Sequence, residues 1–212
     1  MEFQKFKKIP RLSRNCIITE KIDGTNASIV IKSYSFLDVS DCQFITKYAL
    51  NLPEDFNEGT FNFSEQDLFL FAGSKSRWLD TSSNGDNYGF AKWVKENAEE
   101  LLKLGGGIHY GEWYGKRIQR NYGLNEKRFA LFNVGKWDDE NKPNCCEVVP
   151  IIAEGIFDTD LINASLHSLI DTGSYIVPGF KNPEGIIIYH KASGQLFKKT
   201  IENDEKPKNS KE

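Results

Sequence analysis

Residues 17–31 have the sequence IITEKIDGTNASIVI, in which a polar centre separates two runs of apolar and β-branched residues. The run Ala27–Ile31 is the second of these. Asp23-Gly24, in the centre, is a dipeptide typical of tight turns between strands. The stretch therefore predicts two strands joined by a turn, with Lys21 held at the end of the first strand.

Strand patterns recur along the chain and outnumber helical ones. Apolar residues at steps of three and four predict a helix over 87–104, and a second helix is expected near 160–170. No repeated strand–helix–strand unit occurs, so the predicted fold class is α+β, with mainly antiparallel sheets flanked by helices. The further predicted strands are Gln43–Lys47, Asp67–Gly73, Ile108–Tyr114, Arg128–Gly135, Gly185–His190 and Gln195–Lys199. We expect one domain over 1–200, a loop or insertion at 51–66 and a polar tail at 201–212.

Composition limits the class of protein. The 212 residues carry a formal net charge of −3 and 39% are hydrophobic, which is typical of a soluble globular domain and excludes both a disordered chain and a polycation. No apolar run is long enough to span a membrane, and the N-terminus lacks the apolar segment of a secretory signal. The four cysteines form no C-x-x-C pair, so we expect reduced thiols in a cytoplasmic protein.

Five short segments could carry chemistry, and each has an ordinary structural alternative. Lys21 is a nucleophile once it has lost its proton, which nearby cations favour, or an exposed lysine in a hairpin turn. Glu112, between glycines in HYGEWYG, could bind a sugar or lie on an edge strand. Phe132 could stack on a purine or pack in a core. Glu184 could bind Mg²⁺ or cap a strand. Lys198-Lys199 could hold phosphates or be a solvated pair.

In this order the segments resemble the motifs of the covalent nucleotidyltransferases, the superfamily of ATP-dependent DNA ligases, RNA ligases and mRNA capping enzymes. The resemblance is strongest to the phage-type, RNA ligase 2-like branch and extends over about residues 15–201. It implies the ATP-grasp-like nucleotidyltransferase fold of polynucleotide ligases. The matching segments are EKIDGTN at 20–26, GSKSRWLD at 73–80, GEWYG at 111–115, FALF at 129–132, EGIII at 184–188 and KK at 198–199.

What the resemblance implies is an ATP-dependent RNA ligase that uses Mg²⁺, with Mn²⁺ as a substitute. Lys21 would attack the α-phosphate of ATP to form lysyl-AMP. The AMP would pass to an RNA 5′-phosphate end, which a 3′-OH end then seals. Lys198 and Lys199 would neutralise the α-phosphate, and Glu184 would bind the metal. The other nucleotide-binding residues implied are Glu20 beside the adenine, Phe132 stacked on it, Glu112 on the ribose, and Asn26 and Arg77 beside the phosphates.

The chain departs from the family pattern at three positions. Lys198-Lys199-Thr200 stands where Lys-x-Lys is usual, Asn133 where many relatives have Asp, and Asp23 where the RNA ligase 2 branch has His. Relatives usually carry a further C-terminal OB-fold or helical domain, and we expect none after residue 200. The resemblance then implies either a minimal ligase or an adenylation domain that uses a separate partner protein.

Local charge is compatible with a nucleic-acid partner despite the acidic total. Residues 1–21 carry six Lys or Arg against two Glu, and residues 116–128 carry five against one. Trp78, Trp113 and Tyr122 lie beside basic residues and could stack on unpaired bases or belong to a core. The alternative functions are a DNA ligase, a GTP-using capping-type guanylyltransferase, an enzyme that adenylates 5′-ends without sealing them, and a noncatalytic nucleic-acid-binding relative.

Overall fold

The computed structural model describes residues 3–36, 42–53, 56, 63–202 and 204. Contacts divide the chain into two compact units, one formed by 1–22 with 149–212 and the other by 23–148. No composition shift in the sequence marks this division. The assignment of residues 1–200 to one nucleotidyltransferase domain stays a prediction, and the predicted tail lies mostly outside the described residues.

The described elements alternate between strands and short helices. The helices are α1 (Cys42–Tyr48), α2 (Phe90–Glu96), α3 (Ala98–Leu101) and α4 (Thr159–Thr172), with 3₁₀ turns at Tyr34–Phe36 and Leu102–Leu104. The strands are β1 (Asn15–Lys21), β2 (Thr25–Ser33), β3 (Leu68–Ser74), β4 (Trp78–Leu79), β5 (Gly107–Gly115), β6 (Lys127–Leu131), β7 (Cys146–Val148), β8 (Ile151–Ile156), β9 (Gly185–His190) and β10 (Gln195–Thr200). Within the described part of the chain, no helix is long and apolar enough to cross a membrane.

The first unit contains a four-stranded antiparallel sheet in the order β10-β9-β1-β8. Helix α4 covers one face of this sheet. Its first turn is capped by Asp158, whose side chain accepts a hydrogen bond of 2.7 Å from the Leu161 amide. The core between the helix and the sheet is formed by buried apolar residues from both: Cys16, Ile18, Leu166, Leu169, Ile186 and Ile188.

The second unit contains a six-stranded sheet in the order β4-β3-β2-β5-β6-β7, antiparallel except for the β6–β7 pair. Because side chains alternate along β2, its two faces enter different cores. Ile29 and its neighbours two residues away pack with α2 in the larger core, and Val30 packs with Ile45 of α1 and with Phe71. The predicted α+β fold with mainly antiparallel sheets is confirmed.

The predicted hairpin around Asp23-Gly24 is wrong, because β1 and β2 belong to different sheets. Each strand pairs with partners that are distant in the sequence. Gly24 is needed for close packing and not for a turn. A Cβ atom at this position would lie 2.4 Å from the Trp113 carbonyl oxygen, so there is no room for a side chain. The glycine allows the chain to pass close to β5 as β2 begins.

Three further predictions need correction. Gln43–Lys47 is part of helix α1, not a strand; only Ile45 is buried there, and so short an apolar run does not distinguish the two structures. The helix predicted over 87–104 is broken at Asn97, whose side-chain amide donates to the Trp93 carbonyl oxygen at 2.8 Å. Strand β6 ends at Leu131 instead of residue 135.

Part of the predicted loop at 51–66 lies outside the described residues. The other predicted strands and the helix near 160–170 are confirmed.

Candidate active site

Lys21 is the last residue of β1, opposite Gly185 at the start of β9. Its side chain is only 16% exposed and forms an ion pair with Glu184, which immediately precedes β9 and is itself buried. The alternative of an exposed turn lysine is therefore wrong. Gly185 allows this close approach of strands, because a Cβ atom there would lie 2.2 Å from the Lys199 carbonyl oxygen.

The strand register separates the two lysines of β10. Lys198 is opposite Ile187, and Ile187 is opposite Thr19 of β1. Paired residues point to the same face of a sheet, as do residues two apart in a strand, so Lys198 shares a face with Lys21. Lys199 points to the other face, where its Nζ donates a hydrogen bond of 3.0 Å to Asn163 of α4.

Glu20 is almost completely buried, with 1% of its surface exposed. Its carboxylate accepts hydrogen bonds from the Ser174 hydroxyl at 2.7 Å and from the amides of Tyr175 and Ile176 at 2.8 and 3.0 Å. Burial raises the pKa of Glu20, and these three hydrogen bonds act in the opposite direction. The side chain thus fixes the segment after α4 to the strand that ends in Lys21.

In the second unit, the structure brings Asn26 and Glu112 together as directly opposite residues of β2 and β5. The half-buried Glu112 carboxylate accepts a hydrogen bond of 3.1 Å from the Gly24 amide. Its neighbour Gly111 has no room for a side chain, because a Cβ atom would lie 2.4 Å from the Ala130 carbonyl oxygen. The glycines around Glu112 therefore hold it in a tightly paired strand, a position in which it can bind a ligand hydroxyl.

Phe132 lies just beyond the end of β6, where its amide still donates to the Tyr110 carbonyl oxygen at 3.0 Å. Continuing the register of β5 and β6 places it on the face that carries Tyr110 and Glu112. Its ring is 38% exposed and that of Tyr110 is 55% exposed. The second unit thus offers a carboxylate and two accessible aromatic rings on one face of its sheet, whereas Phe129 is buried in the core.

Arg77 lies between β3 and β4, and its guanidinium donates to the carbonyl oxygens of Gly85 and Asp86 at 2.6 and 3.0 Å. It therefore anchors the loop that precedes α2. Trp113 and Tyr122 are each 2% exposed and belong to the core, and the Trp78 ring packs against Phe44 and Phe71. The idea that these three rings stack on bases is wrong for the two buried ones.

Two residues whose contacts with Asp23 were not predicted from the sequence hold the start of the second unit. The Tyr122 hydroxyl accepts a hydrogen bond of 2.8 Å from the Asp23 amide, and Arg120 Nε donates to the Asp23 carboxylate at 3.1 Å. Asp23, two residues after Lys21, is therefore fixed by the segment that follows β5. The cations in GKRIQRNYG were noted as a charged stretch, but nothing in their spacing pointed to Asp23.

Among the described residues, no cluster of three or more His, Cys, Asp or Glu could enclose a metal ion. Glu184 stands as one buried carboxylate beside Lys21. This donor set fits Mg²⁺, which keeps several water ligands and is commonly bound by one or two carboxylates together with substrate phosphates. It does not fit a metal held only by protein side chains.

Solved structures of one RNA ligase share this fold. A lysine-to-alanine mutant of Naegleria gruberi RNA ligase with ATP and Mn superposes with a TM-score of 0.53 at 16% identity. A lysine-to-methionine mutant with AMP and Mn gives 0.52 at 15%, and the same ligase with PPi gives 0.51 at 15%. Each match covers 89% of this chain and 50% of the Naegleria chain, so the present chain spans about half the length of those ligases.

Comparison of the amino-acid sequence, without the structure, identifies a family but no individual protein. None of the curated proteins matches the chain. The profile of the RNA ligase family, by contrast, matches residues 14–200, a range that includes β1 with Lys21 and all of β10. The match covers most of both units, and the chain therefore belongs to the RNA ligase family.

Proposed function

We propose that the protein is an ATP-dependent RNA ligase that acts through a covalent Lys21–AMP intermediate. The observation that carries the proposal is the position of Lys21, largely buried at a strand end and paired with the buried Glu184, in a chain of the RNA ligase family. Solvent has limited access to such an amine, and the paired strands fix its position. Both properties favour a nucleophile over a surface charge.

The proposed reaction has three steps. The Lys21 amine, after losing a proton, forms a bond to the α-phosphorus of ATP, and pyrophosphate leaves. An oxygen of an RNA 5′-phosphate then takes the adenylyl group, which restores Lys21. Finally a 3′-OH attacks the 5′-phosphorus, and AMP leaves as the strand is sealed. The Naegleria ligase structures were solved with ATP, AMP or PPi, the species that the first and last steps would bind or release.

Charge neutralisation in the first unit is assigned to Lys198. An α-phosphate that reacts with Lys21 gains most from a cation on the same face of the sheet, and the register places Lys198 there. Lys199, bound to Asn163, stabilises the contact between β10 and α4. The proposal thus distinguishes two lysines that the sequence motif treats alike.

The second unit would supply the nucleoside contacts. Glu112, opposite Asn26, would accept hydrogen bonds from the ribose, and Asn26 would donate to a phosphate oxygen. Phe132 would stack on the adenine. Arg77 would approach the phosphates or the 5′-end with the guanidinium N–H groups not donated to Gly85 and Asp86.

Glu20 belongs to the first unit, and its carboxylate accepts hydrogen bonds from three donors. It would act on the adenine side of the nucleotide by fixing residues 174–176.

Glu184 is the residue that would hold the divalent metal, Mg²⁺ or Mn²⁺. The metal supplies charge neutralisation on the phosphate oxygens when it is bound. Before it does so, Glu184 is the partner of the Lys21 amine. The same carboxylate would thus pair with Lys21 before ATP and metal bind and would hold the metal afterwards.

RNA is proposed as the polynucleotide because of the family to which the chain belongs. A DNA ligase and a GTP-using capping enzyme keep the same chemistry, and nucleotide and strand preference distinguish them. The noncatalytic alternative conflicts with the presence of all four residues that the reaction needs most: Lys21, Glu112, Glu184 and Lys198. A ligase of this kind would act in RNA repair. A cytoplasmic location and a separate partner protein stay predictions.

The test is intact-protein mass spectrometry after incubation with ATP or with GTP, each with Mg²⁺. We expect a gain of one AMP mass from ATP and no gain from GTP. Lys21→Ala should gain nothing, and Lys21→Arg should also fail, because a guanidinium stays protonated. Pyrophosphate should remove any AMP already present on the purified protein. A wild-type protein that gains no nucleotide and releases none to pyrophosphate would contradict the proposal.

A further inference from the structure

Residues 3–14 form an N-terminal arm without helix or strand, in which every residue is exposed. Its apolar side chains recur at every third position, as do four of its five basic side chains, the exception being Lys7, and no acidic residue lies among them. The apolar series is Phe3, Phe6, Ile9 and Leu12, which are 92%, 84%, 76% and 69% exposed, and the basic series is Lys5, Lys8, Arg11 and Arg14.

The repeat of three residues does not match the period of a helix that packs on a core. An amphipathic helix that packs on a core repeats at 3.6 residues, whereas an extended polyproline-type chain has three residues per turn. In such a chain the two series form two separate stripes, one apolar and one positively charged. Large apolar side chains left this exposed are typical of a binding surface.

The arm is attached to the first unit at a fixed place. The His190 ring is 3% exposed, and its Nδ1 accepts a hydrogen bond of 3.2 Å from the Ser193 amide. Nε2 therefore carries the ring proton and donates to the Leu12 carbonyl oxygen at 2.8 Å. Two residues later the Arg14 carbonyl oxygen accepts from the Phe157 amide at 2.8 Å. The last part of the arm thus lies beside the turn between β9 and β10.

A cavity of about 480 Å³ opens between the arm and this turn. Three of the residues that line it are cations, and none is acidic: Lys8, Ile9, Pro10, Arg11, Arg14, Ala192 and Ser193. Three like charges around one cavity repel each other unless an anion lies among them. The Ser193 side chain adds a hydroxyl group to the lining. The cavity therefore has the chemistry of a phosphate site.

The cavity is distant from the nucleotide chemistry proposed above. β1 runs from Asn15, next to the arm, to Lys21, and six residue steps of a strand span about 20 Å. A phosphate in the cavity would therefore be a different group from the one that reacts at Lys21. A single polynucleotide strand supplies both, since it carries a phosphate at every residue.

We infer that the arm and its cavity bind the RNA strand away from the reacting end, with Lys8, Arg11 and Arg14 on backbone phosphates and Phe3 and Phe6 stacked on unpaired bases. The inference rests on the proposed function for the identity of the strand as RNA. Cations along a groove combined with accessible aromatic rings are the usual means by which proteins hold single strands without sequence preference. An anionic membrane would use the same cations but would not need a cavity of this size.

The first test measures binding of a labelled, 5′-phosphorylated 20-nucleotide single-stranded RNA to the full chain by fluorescence anisotropy at several salt concentrations. In the triple variant Lys8→Gln, Arg11→Gln, Arg14→Gln, we expect the slope of log affinity against log salt to become less steep by about 2, because each phosphate contact on a single strand contributes about 0.7. The matched control, Lys32→Gln, Lys92→Gln, Lys95→Gln, removes the same charge from exposed positions of the second unit and should leave the slope unchanged.

The second test concerns the apolar stripe. Phe3→Ser with Phe6→Ser should weaken RNA binding by about thirtyfold or more while the salt slope stays as in the wild type, because two stacked bases each lose about fivefold or more and no charge is removed. Equal effects of the arm variant and the control variant on the slope would overturn the inference. So would unchanged RNA binding by the arm variants together with their loss of binding to vesicles of phosphatidylcholine and phosphatidylserine.

AMP adduct formation is measured on the same proteins. An arm variant that binds RNA normally but still gains AMP refutes the arm site and leaves the proposed function intact. A wild-type protein that gains no AMP but loses RNA affinity in the arm variants refutes the covalent mechanism and supports the arm site. Circular dichroism of each variant establishes that the chain is folded before either comparison is made.

Discussion

At the scale of single residues, the ion pair between Lys21 and Glu184 links the proposed nucleophile to the proposed metal ligand. The amine cannot attack while it is a protonated partner of the carboxylate. Whatever engages Glu184 therefore changes the environment of Lys21. In the proposed reaction this coupling would make the metal dependence of adenylation depend on the Glu184 side chain, which a single substitution can test.

Glu184→Gln should raise the Mg²⁺ concentration that half-saturates adenylation by at least about tenfold, because loss of a group around a metal commonly costs 10–100-fold in affinity. The measurement is AMP adduct formation in a Mg²⁺ titration, with EDTA as the zero point. The control is Glu154→Gln, which neutralises a half-exposed carboxylate of β8 paired with Lys191. An unchanged Mg²⁺ midpoint in Glu184→Gln would remove this residue from the metal site.

Phe132→Ala should weaken ATP binding by about 1–3 kcal/mol, the usual contribution of an aromatic ring stacked on a base. The change is measured by calorimetric titration of ATP into the Lys21→Ala protein, which binds without reacting. Tyr110→Ala is the companion variant, since its exposed ring lies on the same face. If only Tyr110→Ala weakens binding, the stacking role belongs to Tyr110; Phe129 cannot take it, because its ring is fully buried.

At the scale of elements, the alternation of side chains along β10 puts Lys198 and Lys199 on opposite faces, so only Lys198 shares the face of Lys21 in the proposed reaction. Lys198→Ala should lower the rate of adenylation about 10²- to 10³-fold, as removal of one preorganised charge or donor commonly does. Lys199→Ala should lower it less than about tenfold, because this side chain points to α4 and contacts Asn163. Single-turnover formation of the AMP adduct separates the two, with thermal unfolding as the check on folding. The reverse order of the two rates would contradict the face assignment.

The elements also show how far the sequence could predict the structure. Strand β9 has the predicted bounds, and the helix expected near 160–170 lies within α4. Both are clear in the sequence, because β9 contains a continuous apolar run and α4 has an Asp cap and a glycine stop. Helix α1 was mistaken for a strand, since five residues contain too few turns to show a period. The turn at Asp23-Gly24 was misjudged because local turn chemistry cannot reveal that the flanking strands pair with β9 and β5, which are more than 70 residues away.

The candidate site was predicted in its residue types but not in its geometry. Motif order pointed to Lys21, Glu112 and Glu184, whereas the choice between Lys198 and Lys199 needed the strand register. Tyr122 and Arg120, which hold Asp23, could not be found from the sequence, because their role depends on contacts across about a hundred residues. Local sequence patterns indicate which residue types form this site, whereas pairing between distant strands determines where those residues lie.

At the scale of the whole molecule, the two units differ in how the chain builds them. The second unit is continuous in sequence, from Asp23 to Val148, whereas the first needs both ends of the chain. The larger core lies entirely within the continuous unit and includes buried residues from β2, β3, β5, β6 and α2. A unit with its own core and an uninterrupted chain is expected to fold without the rest of the protein.

The fragment 23–148 should therefore unfold cooperatively in urea when it is made alone. All four tryptophans lie in this fragment, and Trp113 and Trp137 are at least 92% buried, so their emission reports its core. We expect a blue-shifted emission and a single sigmoidal transition, which Ile29→Asp should abolish by placing a charge at a fully buried position. The fragment lacks Lys21 and should gain no AMP. An emission maximum equal to that of the urea-denatured chain would show that the continuous unit needs the other to fold.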